Sequence, residues 1–284
     1  MKAKALVITG FGINCEEELN AAFSLSGFNS KIVFLNEILN DKVNIHEFDI
    51  IGFPGGFSFG DDLGSGKVLA NKIRYKKIGN KETTLMDELK IFINDKKFIL
   101  GICNGFQALV KMGLLPNIGG NFEAEVTLAT NDSGKFENRW VKCKINENNS
   151  PFLTNIKSMD LPVRHGEGKL IIKDGTIKKL IIEKKLNCLT YCDEDLNESS
   201  MFPQNPNGAA LNCAALINET GHVLGMMPHP EAFLSLYNHP NWGQIKRNNP
   251  NISEAGQGLK IFQNIFEAIS IVNSSLDLDP LHFA

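Results

Sequence analysis

Residues 98–113 read FILGICNGFQALVKMG, an apolar run that reaches Gly101, Ile102, Cys103, Asn104 and Gly105 before turning into a helical pattern. Gly-x-Cys-x-Gly at a strand-to-helix handover is the setting of a nucleophile elbow, where small residues on both sides allow a tight turn that presents the central side chain. A helix starting beside the sulfur favours thiolate through its free N–H groups and its dipole. A free cysteine is also one of the most buried residue types and often no more than a small hydrophobe. The elbow by itself leaves both readings of Cys103 standing.

A cysteine nucleophile needs a base for its proton and a third group to orient that base. His229 lies in GMMPHPEAF, directly after an apolar run and two residues before Glu231, with Pro228 and Pro230 restricting the backbone around it. That makes His229 the candidate base and Glu231 its orienter. His165, in RHGEGK with Glu167, is the second choice, open between shaping the backbone and contacting a substrate. His46, His222, His239 and His282 have no comparable neighbours. Acyl chemistry also needs donors for a developing oxyanion, and the turn Pro54-Gly55-Gly56-Phe57 and the amide of Asn104 are the candidates. Cys15 also sits near a helix start, but the carboxylates of NCEEE oppose a thiolate by like-charge repulsion, so it is read as structural. Cys143, Cys188, Cys192 and Cys213 are read as packing residues.

These groups need a scaffold. Short apolar strands are expected at 3–9, 31–35, 48–53, 97–102 and 222–227. Helices are expected at 15–26, 63–74, 84–94 and 258–272, with a capping box formed by Asn14 and Glu17. Alternation of this kind implies α/β architecture, a mostly parallel sheet with helices on both faces. Residues 121–217 differ: EVTLAT, RWVKCKI and TIKKLIIEK lean towards strand and suggest an added antiparallel β portion. The polar segment 238–258 reads as loop. With no repeat or linker, residues 1–284 are expected to form a single domain.

The 284 residues carry a net charge of −3 and include 43% hydrophobic and 21% charged residues, which fits a soluble globular chain without the basic footprint of a nucleic-acid or anionic-membrane binder. No apolar run approaches the roughly 18 residues that span a bilayer. The apolar start is too short for a signal peptide, so a cytoplasmic location is expected. Six scattered cysteines without paired ligand spacing suggest reduced thiols and no metal site. GDDLGSGKV (60–68) fails as a phosphate loop, since Ser65 stands where the second glycine should and Val68 follows Lys67. Asp61 and Asp62 are therefore read as solvated or capping carboxylates.

In order and spacing, PGGFSFGDD, GICNGFQ, HGEG and GMMPHPE resemble the class I glutamine amidotransferases. Within that class they are similar to the glutaminase subunits of phosphoribosylformylglycinamidine synthase, over residues 3 to 272. Cys103, Gly105 and Gln107 match the Cys-x-Gly-x-Gln signature, and His229 and Glu231 match His-x-Glu. The resemblance implies a flavodoxin-like fold and a thioester mechanism on L-glutamine, with Cys103 as nucleophile, His229 as proton shuttle and Glu231 as its support. Gly56 and Asn104 would supply oxyanion-hole N–H groups, and Phe57, Gln107, His165 and Gly166 would line the substrate. It further implies ammonia transfer to a large synthase subunit that holds ATP and Mg, a small bridging subunit, no cofactor on this chain, and weak activity in isolation. A cysteine hydrolase of the same superfamily and a non-catalytic scaffold are the competing readings. The chain departs from many relatives at Ala232, where an Arg is common, at DDLGSGK, and in extra residues around 173–205 and 235–255.

Overall fold

The computed structural model describes residues 2–61 and 63–277, with side chains through position 274. The strands are β1 (Lys4–Thr9), β2 (Asn29–Phe34), β3 (Ile50–Phe53), β4 (Phe98–Ile102), β5 (Val126–Ala129), β6 (Glu137–Ile145), β7 (Ser158–His165), β8 (Lys169–Ile172), β9 (Asn187–Tyr191), β10 (Cys213–Ile217) and β11 (Val223–Met226). The helices are α1 (Glu16–Leu25), α2 (Leu35–Leu39), α3 (Lys67–Tyr75), α4 (Leu85–Asn94), α5 (Asn104–Lys111), α6 (Gly175–Glu183), α7 (Trp242–Asn248) and α8 (Leu259–Asp277).

One sheet runs β2-β1-β3-β4-β11-β10-β9-β6-β7, and β5 and β8 form a separate antiparallel pair. The first five strands are parallel, in the flavodoxin-like order of doubly wound sheets. Strands β3, β4 and β11 are buried along their whole length, as expected where helices cover both faces. Neighbouring residues of β3 show those two faces. A methyl group on Gly52 would meet Leu19 and Phe23 of α1, whereas one on Gly105 of α5 would meet Phe53. Helix α1 packs with α8, and α3 with both α4 and α5. Edge-to-face contacts of Phe23 with Phe28 and Phe262, and of Phe28 with Phe266, join the first layer.

The expected antiparallel portion extends the same sheet through β10, β9, β6 and β7. Three local expectations are corrected. TIKKLIIEK lies in α6, because the Asp174 side chain caps the helix by accepting from Ile177 N at 2.9 Å and Ile177, Leu180 and Ile181 form one apolar stripe. Its β-branched residues had pointed the other way, and capping with helical spacing outweighs that weak propensity. The 238–258 segment contains α7 and is closed at its base by Leu236 N donating to Glu254 O at 2.8 Å and Gly256 N to Leu234 O at 2.9 Å. Helix α1 has Cys15 at its N-cap with no side-chain cap bond, so Asn14 and Glu17 form no capping box. No helix among the described residues is long and apolar enough to cross a membrane.

Candidate active site

Strands β4 and β11 lie side by side in parallel register, Ile102 opposite Met226, so the residues just past their ends meet at the carboxyl edge of the sheet. Cys103 is held there by its own N–H donating to Met226 O at 2.8 Å and by its carbonyl accepting from Gln107 N at 3.0 Å. Its backbone has φ 50° and ψ −104°, outside the regions that an L-residue normally adopts. Strain of this kind persists only where the surroundings enforce it. Here a Cβ on Gly105 would stand 2.0 Å from Phe53 O, and one on Gly101 would stand 2.5 Å from the Leu109 side chain. The two glycines of the Gly-x-Cys-x-Gly spacing are therefore what lets α5 lie close against β3 and β4.

His229 follows β11 and is anchored by its N–H donating to Pro162 O of β7 at 2.8 Å. Its Nδ1 is 2.6 Å from Glu231 Oε1, and both side chains are buried. Burial opposes a charged imidazole, but the Glu231 carboxylate, with Cys103 and Cys15 also contributing, outweighs it and raises the His229 pKa well above its usual value. An imidazole that readily takes and holds a proton beside a thiol is what an activated cysteine requires. The Cys103 Sγ–H reaches Arg164 O at 3.5 Å.

The paired-glycine turn follows β3, on the other side of β4. Its Gly55 carbonyl accepts from Asn14 N and Cys15 N, and Phe57 N donates to Gly12 O. Gly56 has φ 136°, and a Cβ there would meet the backbone of residues 12–14. Among the described residues, neither Gly56 N–H nor Asn104 N–H has an intramolecular acceptor, which leaves both donors free. Phe57 is part exposed, its ring 6.2 Å from that of Phe136.

Gln107 is buried and its amide is engaged: Oε1 accepts from Asn104 Nδ2 at 3.0 Å, and Nε2 donates to Glu167 O at 2.6 Å. Gln107 thus ties α5 to the HGEG segment. Asn104 Oδ1 accepts from Ser58 N, and Glu167 Oε2 from Ser65 N. Asp61 accepts from Ser65 Oγ, Gly66 N and Asn104 Nδ2. Its carboxyl pKa is raised chiefly by burial, so of the two readings, solvated or capping, it is a half-buried carboxylate that ties the start of α3 to Asn104. Asp62 and His282 lie outside the described residues.

His165 ends β7 beside Gly166. Its Nδ1 is 3.1 Å from Asn131 Oδ1, an oxygen that also accepts from Gly168 N at 3.0 Å. With Asn131 Nδ2 donating to the carbonyls of Lys135 and His165, Asn131 offers the ring an acceptor, which assigns the proton to Nδ1. Burial, reinforced by nearby His229, lowers the His165 pKa to about 4, so its ring is neutral. His46 instead pairs with Glu88 at 2.9 Å. Cys143, Cys188, Cys192 and Cys213 are buried.

Sequence reasoning missed two groups. Asn131 orients His165 from a turn that carries no motif. Cys15, read as structural, stands at the site: a methyl on Gly55 would lie 2.8 Å from His229 Cε1, 3.2 Å from Cys15 Sγ and 3.5 Å from Cys103 Cβ. Burial raises its pKa, with Glu231 and Glu18 among the contributors. The neighbouring carboxylates were a visible signal against a thiolate, but nothing local indicated the approach to His229.

A cysteine on a strained elbow, with an imidazole and a carboxylate at the same sheet edge and free N–H groups on the next residue and on the neighbouring turn, is the constellation of a thiol-dependent acyl-transfer site. The family model for the CobB/CobQ-like glutamine amidotransferase domain matches residues 2–267. The phosphoribosylformylglycinamidine synthase subunit PurQ of Dehalococcoides mccartyi is 39% identical over 93% of this chain and 96% of its own length. That of Methanococcus maripaludis strain C5 is 38% identical over 94% and 98%. A solved structure described as PurLQS from Thermotoga maritima superposes with a TM-score of 0.68 at 27% identity, over 95% of this chain and all of that one. The chain belongs to the glutamine amidotransferases and, within them, to the PurQ family of phosphoribosylformylglycinamidine synthase subunits.

Proposed function

We propose that the protein is the glutaminase subunit of a phosphoribosylformylglycinamidine synthase, hydrolysing L-glutamine and passing the ammonia to a synthase partner in purine biosynthesis. The observation that carries this reading is the convergence of Cys103, His229 and Glu231 at one sheet edge in a chain similar to PurQ subunits along nearly its whole length. The Cys103 sulfur attacks the side-chain amide carbon while His229 takes the thiol proton. The oxyanion that forms is met by Gly56 and Asn104 N–H groups. His229 returns the proton to the departing nitrogen, the C–N bond breaks, and ammonia leaves a thioester. Water, deprotonated by His229, then attacks the same carbon; the C–S bond breaks and glutamate is released. Glu231 stabilises the imidazolium at each stage and fixes its tautomer. Phe57, Gln107, His165 and Gly166 form the wall against which the glutamine is held.

This chain carries no cofactor role in that scheme. A large subunit binds ATP and Mg and uses the ammonia to convert formylglycinamide ribonucleotide to its amidine, with a small third subunit bridging the two. The resemblance of the fold to a structure described as PurLQS supports such an assembly. The test is covalent labelling with 6-diazo-5-oxo-L-norleucine in the presence of a large synthase subunit, read by mass spectrometry. Modification of Cys103, with loss of glutamine-dependent but not ammonia-dependent synthesis, is expected. A Cys103→Ala variant that still supports glutamine-dependent synthesis would overturn the assignment.

A further inference from the structure

The two oxyanion donors, the N–H groups of Gly56 and Asn104, belong to segments far apart in the chain. The direction of one is set by α1. Gly55 O accepts from Asn14 N at 3.4 Å and from Cys15 N at 3.3 Å, and across a trans peptide the N–H points opposite to the C=O, so the Gly56 N–H is aimed away from the start of that helix. Two consecutive glycines leave the rest of the turn conformationally soft. Its spacing from the Asn104 N–H therefore needs a separate tie.

The side chain of Asn104 is that tie. It is fully buried, and its Oδ1 accepts at 3.2 Å from the N–H of Ser58, two residues beyond Gly56. Its Nδ2 donates to Gln107 Oε1 at 3.0 Å and to Asp61 Oδ1 at 3.4 Å. The opposite amide orientation would set NH₂ against the Ser58 N–H and oxygen against two oxygens, so the surroundings permit one orientation. Both anchors are themselves held. The Asp61 carboxylate accepts from Ser65 Oγ at 2.9 Å and from Gly66 N at 3.3 Å, and Gln107 Nε2 donates to Glu167 O at 2.6 Å. One residue thus supplies one donor from its backbone and, with its side chain, ties down the segment that carries the other.

We infer that the Asn104 side chain, anchored by Asp61, is the positioning group of the oxyanion hole, holding the Gly56 N–H at the spacing from the Asn104 N–H that a tetrahedral oxyanion requires. The inference rests on the proposed reaction, since only chemistry through such an oxyanion uses the two donors together. The amide acts through the turn and needs no contact with substrate. An oxyanion gains more from aligned donors than the ground-state carbonyl does, so loss of the brace lowers kcat and leaves KM nearly unchanged.

The test uses the complex with its large subunit and substitutions at both positions. Asn104→Ala keeps the N–H of residue 104 and removes the brace; kcat for glutamine-dependent synthesis should fall about 30-fold or more, with KM within about threefold. Asp61→Ala should lower kcat about 10-fold. Asp61→Asn should recover most of that loss, because its Oδ1 still accepts from Asn104 and Gly66 while its NH₂ donates to Ser65 Oγ. Two reagents separate positioning from general damage to the site. With L-glutamic γ-semialdehyde a bond forms between the Cys103 sulfur and the aldehyde carbon, His229 takes the thiol proton, and the aldehyde oxygen becomes an oxyanion that the two N–H groups meet. Its inhibition constant should rise about 30-fold in Asn104→Ala, in step with the loss in kcat/KM. Iodoacetamide loses iodide as the sulfur attacks its methylene carbon and forms no oxyanion, so its rate of alkylating Cys103 should stay within about twofold. The Asp61 variants carry the same comparison should Asn104→Ala fail to fold. An aldehyde that binds the alanine variants as tightly as wild type, or alkylation that falls in step with kcat, would overturn the inference. Wild-type Cys103 that resists 6-diazo-5-oxo-L-norleucine in the complex removes the proposed reaction and this inference with it. A labelled wild type with indifferent variants removes the inference alone.

Discussion

Replacing Gly55 by Ala adds one methyl group at the point where the side chains of Cys15, Cys103 and His229 meet. Its backbone lies outside the left-handed region, so alanine adds no conformational strain there, and the new carbon faces His229 Cε1 at 2.8 Å, Cys15 Sγ at 3.2 Å and Cys103 Cβ at 3.5 Å. Ordinary carbon contacts lie near 3.5 Å, so the imidazole must give way by about 0.7 Å. It cannot do so freely, because Nδ1 is held 2.6 Å from Glu231 and the ring is buried. Overpacking at one methyl costs about 1–3 kcal/mol of stability. The effect on rate is larger in proportion: if a misplacement of about 1 Å costs roughly 100-fold, a shift of about 0.7 Å costs about 25-fold. The assay compares glutamine-dependent with ammonia-dependent synthesis by the complex with its large subunit. The first should fall about 10- to 100-fold in kcat/KM while the second is unchanged. Gly175→Ala is the control, since nothing lies within 4 Å of a Cβ there. A folded Gly55→Ala protein within about twofold of wild type, or one in which both activities fall together, would refute the reasoning.

Glu231→Gln removes the carboxylate that raises the His229 pKa and should lower glutamine-dependent turnover by about 100-fold or more, measured at saturating glutamine; an unchanged kcat would show that His229 needs no anionic support. His165, ordinarily near 6.5 when unfolded and about 4 when folded, should make stability depend on pH. The unfolded chain binds the proton first, so the contribution is complete above about 6.5 and is lost as pH falls towards 4, up to about 3 kcal/mol. Urea midpoints of wild type and His165→Asn between pH 7 and 4.5 test this, and parallel slopes would contradict it. Gly105→Ala, whose Cβ would stand 2.0 Å from Phe53 O, should destabilise by about 3 kcal/mol, seen as a lower thermal midpoint; an unshifted midpoint would mean that α5 is free to move off β3.

Much of the architecture is written locally. Buried parallel strands need continuous apolar runs, and β1, β3, β4 and β11 could be read from theirs within a residue or two. Thr84 caps α4 by accepting from Asp87 N, and the helix begins where the pattern indicated. The elbow around Cys103 was legible for a similar reason, since only small residues at 101 and 105 permit the close approach of α5. His229 and Glu231 were legible as a pair because they stand two residues apart just past the end of one apolar strand. Where several local signals competed, the weaker misled: β-branched residues in α6 concealed a helix that Asp174 caps.

What the sequence by itself determined, then, is the set of short-range facts: strand and helix periods, the tight turns, and the residues able to act as nucleophile, base and orienter. Only the tertiary structure decided which loops share the sheet's carboxyl edge. The order β1-β3-β4-β11 brings together residues 15, 55, 103 and 229, which no spacing in the chain relates. The turn holding Asn131 against His165 and the Asp61 tie to Asn104 likewise depend on it. Distances between segments far apart in sequence are set by packing of the whole core, and for that reason Cys15 reads as structural in the chain and proves to be a neighbour of the His229 imidazole in the fold.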